Sequence, residues 1–214
     1  MKNELLSKVF FNLFIGLLVT FGVGYLVSVS SLAQVFVYNP IMMFMLIIAE
    51  LAIAIILPVR INKMNSGTAR ILYILYAALT GLTFSSIFIV YELTSILWVF
   101  LVTSIMFGVF AFVGKTTKMD LSKIGTYLLI GLFSIILLSL INIFIRSVKL
   151  DLTLCILGIV IFLGYIAYDI QRILKLDSYG MDEDSLAVIG AFNLYLDFIN
   201  LFIKLLRIFG KERD

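Results

Sequence analysis

Long apolar segments separated by short polar connections make up almost the whole chain. Seven such segments are present, at about residues 8–30, 41–59, 70–91, 95–114, 124–146, 152–174 and 186–209. Each is close to the roughly 20 apolar residues that an α-helix needs to span the hydrocarbon core of a bilayer. A transmembrane β-strand would instead alternate apolar and polar residues over about ten positions. The pattern therefore predicts an all-α integral membrane protein with seven transmembrane helices.

The composition agrees with this pattern. Hydrophobic residues make up 63% of the 214 residues and charged residues only 14%, whereas soluble domains are about 45–50% apolar and about 25% charged. The polar connections are too short to hold a soluble domain, so we predict a single transmembrane domain over residues 1–214. The first apolar segment is too long for a signal-peptide core, which predicts a retained helix.

The distribution of basic residues predicts the orientation in the membrane. If the N-terminus is cytoplasmic, the inner connections collect Lys2, Lys8, Arg60, Lys63, Arg70, Lys115, Lys118, Lys123, Arg172 and Lys175. The outer connections hold only Arg146 and Lys149 before the final segment, in agreement with the positive-inside rule. The final segment either crosses and places Lys204, Arg207, Lys211 and Arg213 outside despite their charge, or it is re-entrant or interfacial and the C-terminus stays inside. We predict a multi-pass plasma-membrane protein with a cytoplasmic N-terminus and the C-terminus outside.

Three carboxylates interrupt the apolar segments. Glu50 lies in the second segment, Asp169 near the end of the sixth and Asp197 in the middle of the seventh. An ionised carboxylate near the bilayer centre costs at least about 2.5–3.5 kcal/mol, so each is a candidate functional residue. Glu50 has no cation within one helical turn and must face a cavity, a partner helix or a proton. Asp169 could form an ordinary ion pair with Arg172, three residues later.

The final segment carries a polar stripe. Its members are Asn193, Asp197, Asn200, Lys204 and Arg207. At about 100° per residue, these positions share one face of a helix. Such a helix could lie flat on the membrane surface with its polar face in water. The wide apolar arc and the central position of Asp197 favour a helix that is buried among others and lines a polar seam.

Small side chains recur at every fourth position in the third segment. They are Ala77, Gly81 and Ser85, which share one helical face. Small residues at this spacing allow two helix backbones to approach closely within a membrane. We therefore expect a neighbouring helix to pack against this face.

The chain has no histidine, which limits its chemistry. Neither a Ser-His nor a Cys-His pair is available, and no metal can be held by histidine. A proton-linked switch between about pH 5 and pH 8 must use carboxylates, whose protonated form is favoured by burial or by a second carboxylate. Two carboxylates about 3 Å apart share one proton and titrate as a unit, because both cannot ionise cheaply.

Two blocks of sequence resemble the Bax-inhibitor (TMBIM) family of membrane proteins, and most closely its small bacterial members. The first block is Tyr165-Ile-Ala-Tyr-Asp, and the second is Leu194-Tyr-Leu-Asp-Phe-Ile-Asn-Leu-Phe-Ile with Leu205-Leu-Arg downstream. Seven apolar segments with an acidic connection before the last also match. The resemblance implies a fold in which six helices surround a central seventh, and a pH-sensitive calcium leak across the membrane.

The resemblance also implies roles for individual residues. Asp169 and Asp197 match a hydrogen-bonded pair that senses pH. Arg60 matches an arginine that latches the pair in the closed state. Glu50 matches an acidic residue that lies along the pore.

Calcium prefers oxygen ligands, and the amide oxygens of Asn193 and Asn200 could extend the ion pathway formed by the carboxylates. We expect transient calcium contacts at Asp169, Asp197 and Glu50, and no cofactor. The expected partners are the lipid bilayer, calcium ions and protons, without nucleic acid; the residues do not identify a protein partner.

Other functions remain open from the sequence. Intramembrane aspartyl proteases also place a Tyr-Asp pair on one helix, as in Tyr168-Asp169, but their second aspartate belongs to a Gly-x-Gly-Asp motif, which is absent before Asp197. We therefore do not expect an enzyme. A proton-coupled transporter of another solute is an alternative, since buried carboxylates also serve as proton relays. A scaffold without transport is disfavoured by the polar stripe.

Overall fold

The computed structural model describes residues 2–176 and 182–213, and over these residues its regular structure is helical. The helices are α1 (Lys2–Ser28), α2 (Leu32–Phe36), α3 (Pro40–Arg60), α4 (Ser66–Val90), α5 (Leu93–Thr116), α6 (Ser122–Ile145), α7 (Val148–Leu176) and α8 (Glu183–Phe209). All except the short α2, which the pattern did not predict, are long and apolar enough to cross a membrane. The predicted all-α fold with seven membrane-spanning helices is confirmed.

Several helices begin a few residues before their apolar segments because polar side chains cap them. The Asn39 side chain accepts a hydrogen bond of 3.1 Å from the backbone of Ile41 at the start of α3. The Asn65 side chain accepts one of 2.7 Å from the backbone of Thr68 at the start of α4. Capping satisfies backbone N–H groups that have no partner within the helix. The apolar pattern thus marks the membrane-embedded part of each helix, and the polar caps set its ends.

The chain forms two compact units. The first unit comprises residues 1–93, 176–195 and 212–214, and the second comprises residues 94–175 and 196–211. The continuous helix α8 contributes its first half to the first unit and its second half to the second. Part of the acidic connection before α8, residues 177–181, lies outside the described residues. The prediction of a single domain stays a prediction.

In the first unit, α4 packs closely against α1. The Thr20 hydroxyl donates a hydrogen bond of 2.9 Å to the carbonyl oxygen of Ala77. A Cβ atom on Gly81 would lie 2.7 Å from the Cβ atom of Val23, a distance that no side chain larger than hydrogen permits. The close approach predicted from the small residues of the third segment is therefore confirmed, and the neighbouring helix is α1.

Contacts in the first unit show that α1, α4 and the first half of α8 run in the same direction. The Tyr73 hydroxyl of α4 donates to the carbonyl oxygen of Asn12, one to two turns before the contact between Thr20 and Ala77, so residue numbers rise together along α1 and α4. Lys8 forms an ion pair of 2.8 Å with Asp184 where both α1 and α8 begin. Helices that are separated by an even number of membrane crossings are expected to run in the same direction, as these three do.

The tail that follows α8 returns to the end of α4. The backbone N–H of Arg213 donates a hydrogen bond of 2.8 Å to the carbonyl oxygen of Val90, and Tyr91 and Glu212 form an isolated antiparallel bridge. All four residues belong to the first unit. The tail therefore lies beside the C-terminal end of α4. This is the position expected if the final segment crosses the membrane.

Helix α8 is the most buried of the seven long helices. In its apolar window 72% of the residues are buried, compared with at most 44% in the others. Residues 185–192 are all buried, and these consecutive positions cover every face of the helix. A helix that lies flat on a membrane surface leaves one face in water, so that alternative is wrong. The burial is that expected for a central helix.

In the second unit, α7 packs against α5 and α6 through glycines. A Cβ atom on Gly114 of α5 would lie 2.3 Å from the carbonyl oxygen of Ala167, and one on Gly125 of α6 would lie 2.5 Å from the ring of Tyr168. The second half of α8 packs on α5 through aromatic rings, with Phe198 and Phe107 centroids 5.6 Å apart. These contacts position the end of α7 and the middle of α8, which carry the candidate site.

Candidate functional site

Asp169 and Asp197 lie in the second unit, on α7 and α8 respectively. Each is only 6% exposed, and the Asp169 carboxylate is an electrostatic neighbour of the Asp197 carboxylate. The Oδ2 atom of Asp197 is buried and has no hydrogen-bond partner. An unsatisfied buried carboxylate oxygen is unfavourable until a proton or a cation reaches it. The structure thus places the two candidate sensor residues within electrostatic range of each other, and one of them has a carboxylate oxygen that can accept a proton or a cation.

No direct ion pair joins Asp169 to Arg172 among the described residues. Arg172 is exposed and acts on Asp169 only as a more distant charge. The ordinary pairing considered from their three-residue spacing is therefore not formed. Asp169 is left as a buried carboxylate that a direct ion pair does not neutralise.

Tyr165 is a further polar group at this site. Both Asp169 and Asp197 act electrostatically on its hydroxyl group, so this group lies near both carboxylates. Tyr165 belongs to the first of the two family-like sequence blocks, and no role was predicted for it. The available signal was its position four residues before Asp169, which places the two side chains on one face of α7.

Beyond Asp197, the polar stripe of α8 borders a small cavity. Asn200 and Lys204 line this cavity, of about 210 Å³, together mostly with aliphatic residues of α6. The Lys204 side chain packs along α7, where a Cβ atom on Gly158 would lie 3.2 Å from its Cε atom. The ion pairs of the described residues do not include Lys204. A half-buried positive charge therefore stands in a mainly apolar cavity.

The two ends of the stripe have different surroundings. Arg207 is exposed and forms an ion pair of 2.8 Å with Asp151 of α7. Asn193 is half-buried and belongs to the first unit. Asn200, between them, donates to the carbonyl oxygen of Leu196 in its own helix, at 2.8 Å.

Glu50 and Arg60 belong to the first unit. Glu50 is half-buried on α3, its Oε1 atom has no hydrogen-bond partner, and it lies near Thr83 of α4. Arg60 is the last residue of α3 and is exposed.

In residues 2–176 and 182–213, no three acidic or cysteine side chains cluster closely enough to hold a metal ion. The latch role of Arg60 and the calcium contacts of Glu50, Asp169 and Asp197 stay predictions.

A buried cluster of hydroxyl groups in the first unit was not foreseen. The Tyr195 and Thr20 hydroxyl oxygens lie 2.5 Å apart, and the Tyr195 ring packs edge-on against Tyr73 and Tyr76 at centroid distances of 5.7 and 5.8 Å. Tyr76 and Tyr195 are also electrostatic neighbours of Glu50. The sequence indicates this cluster through one feature of α4: its face that carries Tyr73, Tyr76 and Thr80.

Comparison with known proteins supports a common family for the whole chain. Residues 2–214 match the family described as inhibitor of apoptosis-promoting Bax1. A protein of Borreliella burgdorferi is 41% identical over 100% of this chain and 94% of its own length. The inner membrane protein YbhL of Escherichia coli is 40% identical over 97% of this chain and 92% of its own length. The resemblance found in the two aspartate-containing blocks is confirmed, and the chain belongs to the Bax-inhibitor family of membrane proteins.

Proposed function

We propose that this protein is a pH-sensitive calcium leak channel in which Asp169 and Asp197 form the proton sensor. The observation that carries the proposal is the pair itself. Two carboxylates from different helices are both buried, and one oxygen of Asp197 has no hydrogen-bond partner. A pair in this environment holds a proton or a cation more readily than two separate charges.

Proton exchange at the pair would change how α7 and α8 attract or repel each other. With one proton bound, the carboxylates can share a hydrogen bond that joins the helices. Without it, two negative charges repel each other at close range in a medium of low polarity. Arg60 is proposed as the arginine that latches the pair in the closed state, by analogy with the family pattern.

The ion pathway is proposed to use oxygen-bearing side chains. Calcium prefers carboxylate and carbonyl oxygens, which Asp197, Asn193, Asn200 and Glu50 carry. A few weak contacts suit conduction better than one tight site, because an ion that enters must also leave. Helix α8 contributes three of these residues on one face, which supports its role as the wall of the pathway.

The membrane that holds the protein is proposed to be the plasma membrane. The relative from Escherichia coli is named an inner membrane protein, and the basic residues favour a cytoplasmic N-terminus. The parallel course of α1 and α8 supports a C-terminus on the opposite, outer side.

Calcium flux into dye-loaded liposomes tests the proposal. Wild-type protein should carry a downhill calcium flux that varies between about pH 6 and about pH 8. Asp169→Asn and Asp197→Asn should each remove this variation, since an amide cannot release a proton in this range. Asp120→Asn is the matched control, because Asp120 lies in the exposed connection between α5 and α6.

Four results would count against the proposal in different ways. Unchanged pH dependence in both variants would remove the sensor role. No flux from folded, inserted wild-type protein would remove the channel function. Saturable uptake driven by a proton gradient, or cleavage of a transmembrane peptide that either variant abolishes, would favour the transporter or the protease respectively.

A further inference from the structure

A cavity of about 490 Å³ lies in the second unit, where α6 ends, α7 begins and α8 nears its end. Its polar lining consists of Ser139, Asn142, Arg146, Ser147, Asp151 and Arg207. The lining thus carries two guanidinium groups and one carboxylate, with hydroxyl and amide groups between them. Its net charge is positive.

The positive charge resides on Arg146. Arg207 is neutralised by its ion pair of 2.8 Å with Asp151. Arg146 takes part in none of the ion pairs of the described residues, and its side chain is exposed at the rim of the cavity. An anion that enters this cavity therefore meets a guanidinium group that is free to bind it.

The backbone at Arg146 adopts a conformation that favours glycine. Its φ and ψ angles are 54° and 37°, and Arg146 is the only non-glycine residue with a positive φ among the described residues. The left-handed conformation costs roughly 1–2 kcal/mol for a residue with a side chain, and glycine is the usual residue at such helix ends. The backbone conformation would favour glycine at position 146. The presence of an arginine is explained instead by a role for its side chain.

Hydrogen bonds hold this turn in place. The backbone N–H of Arg146 donates to the carbonyl oxygen of Asn142 at 2.7 Å. The Asn142 side chain in turn accepts from the backbone N–H of Ser147 at 3.0 Å. Helix α7 begins at Val148, next to this turn, and the N-terminus of a long helix favours a negative charge nearby. These local hydrogen bonds fix the turn that carries Arg146 at the rim of the cavity.

The surroundings identify the source of the anion. Helix α6 has 24 residues, about 36 Å of helix, so Arg146 directly after it lies at the level of lipid headgroups. Phe144 and Val148, on either side of the turn, are 87% and 83% exposed. Exposed apolar side chains at this level suit contact with acyl chains.

We propose that this cavity binds the phosphate group of a phospholipid, with Arg146 as its main ligand. The planar guanidinium group matches the geometry of phosphate oxygens. The exposed apolar residues beside the cavity accommodate the acyl chains. Binding at this site does not depend on calcium transport.

Native mass spectrometry of the full chain in detergent tests the site, with phosphatidylglycerol as the probe and diacylglycerol as the phosphate-free comparison. Wild-type protein should retain phosphatidylglycerol, and Arg146→Gly should retain about tenfold less, because a charge-assisted hydrogen bond is lost. Lys149→Gln is the matched control, since it removes a positive charge from the first turn of α7, close to Arg146, that does not line the cavity.

Stability separates loss of binding from loss of folding. Arg146→Gly should melt at the same or a higher temperature than wild-type protein, because glycine relieves the strained backbone. Arg146→Gln keeps the strain and should lose the lipid to a similar extent. Equal retention of phosphatidylglycerol by wild-type protein and both variants would overturn the proposal. Stabilisation by inorganic phosphate, without preference for phosphatidylglycerol over diacylglycerol, would overturn the assignment to a lipid.

Discussion

The hydroxyl oxygens of Thr20 and Tyr195 lie 2.5 Å apart in a fully buried position that joins α1 to α8. Thr20 also donates to the carbonyl oxygen of Ala77, so one threonine links three parallel helices of the first unit. Tyr195 lies two residues before Asp197 in the block that identifies the family. The polar side chains of this block therefore include a structural contact as well as the candidate sensor.

Replacing Tyr195 by Phe should destabilise the protein by about 1 kcal/mol, because the hydrogen bond is lost while the ring packing is kept. For a chain of this size the melting temperature should fall by about 2–4 °C. Thermal unfolding in detergent measures the change. Tyr127→Phe is the control, since Tyr127 is 74% exposed. Equal melting temperatures of the two variants would show that the contact between Thr20 and Tyr195 contributes nothing measurable.

Replacing Gly114 by Ala should destabilise the protein by about 1–3 kcal/mol or more. The added methyl group would meet backbone atoms of Ala167 at 2.3 and 2.7 Å, and a backbone cannot rotate away as a side chain can. Gly108 lies on the same helix with nothing within 4 Å of its added Cβ atom, so Gly108→Ala should change stability by at most about 1 kcal/mol. Thermal unfolding of both variants checks the difference, and similar effects would contradict this close packing of α5 on α7.

Replacing Lys204 by Met should raise the calcium flux proposed above about tenfold or more. As a guide to the magnitude, two unit charges about 8 Å apart repel each other by about 2 kcal/mol at an effective dielectric constant of about 20, and a divalent ion is repelled more strongly. Each 1.4 kcal/mol taken from a barrier gives about a tenfold faster rate. The liposome assay measures the flux, with Lys118→Met as a control for the loss of one exposed positive charge. An unchanged flux through Lys204→Met would place the pathway away from the cavity beside Asn200.

Replacing Asp120 by Asn should leave the pH dependence of the flux unchanged. Hydrogen bonds from Lys175 and Ser122 hold the pKa of Asp120 below its ordinary value of 3.8. Ionised Asp120 therefore contributes fully to stability at pH values above 3.8. This contribution is lost only when the pH falls through the lowered pKa of Asp120. Between about pH 6 and about pH 8 Asp120 stays ionised. A flux profile altered as strongly as in Asp197→Asn would show that the response does not belong to the buried pair alone.

The spanning helices and the charged residues within them could be predicted from sequence, because both depend on local patterns. An apolar segment of about 20 residues predicts a spanning helix wherever the segment lies in the chain. Carboxylates such as Asp169 and Asp197 stand out because ionised groups are rare in such segments. The short helix α2 was missed, since its five residues carry no pattern long enough to read.

Sequence by itself determined the class of the protein, its seven spanning segments, its family and the carboxylates that are candidates for its chemistry. Only the tertiary structure decided which side chains meet. It placed Asp197 within electrostatic range of Asp169, Tyr195 against Thr20, and Arg146 at the rim of a cavity. The physical reason is that helices far apart in sequence pack through side-chain shape and a few hydrogen bonds, which periodicity along one helix does not encode.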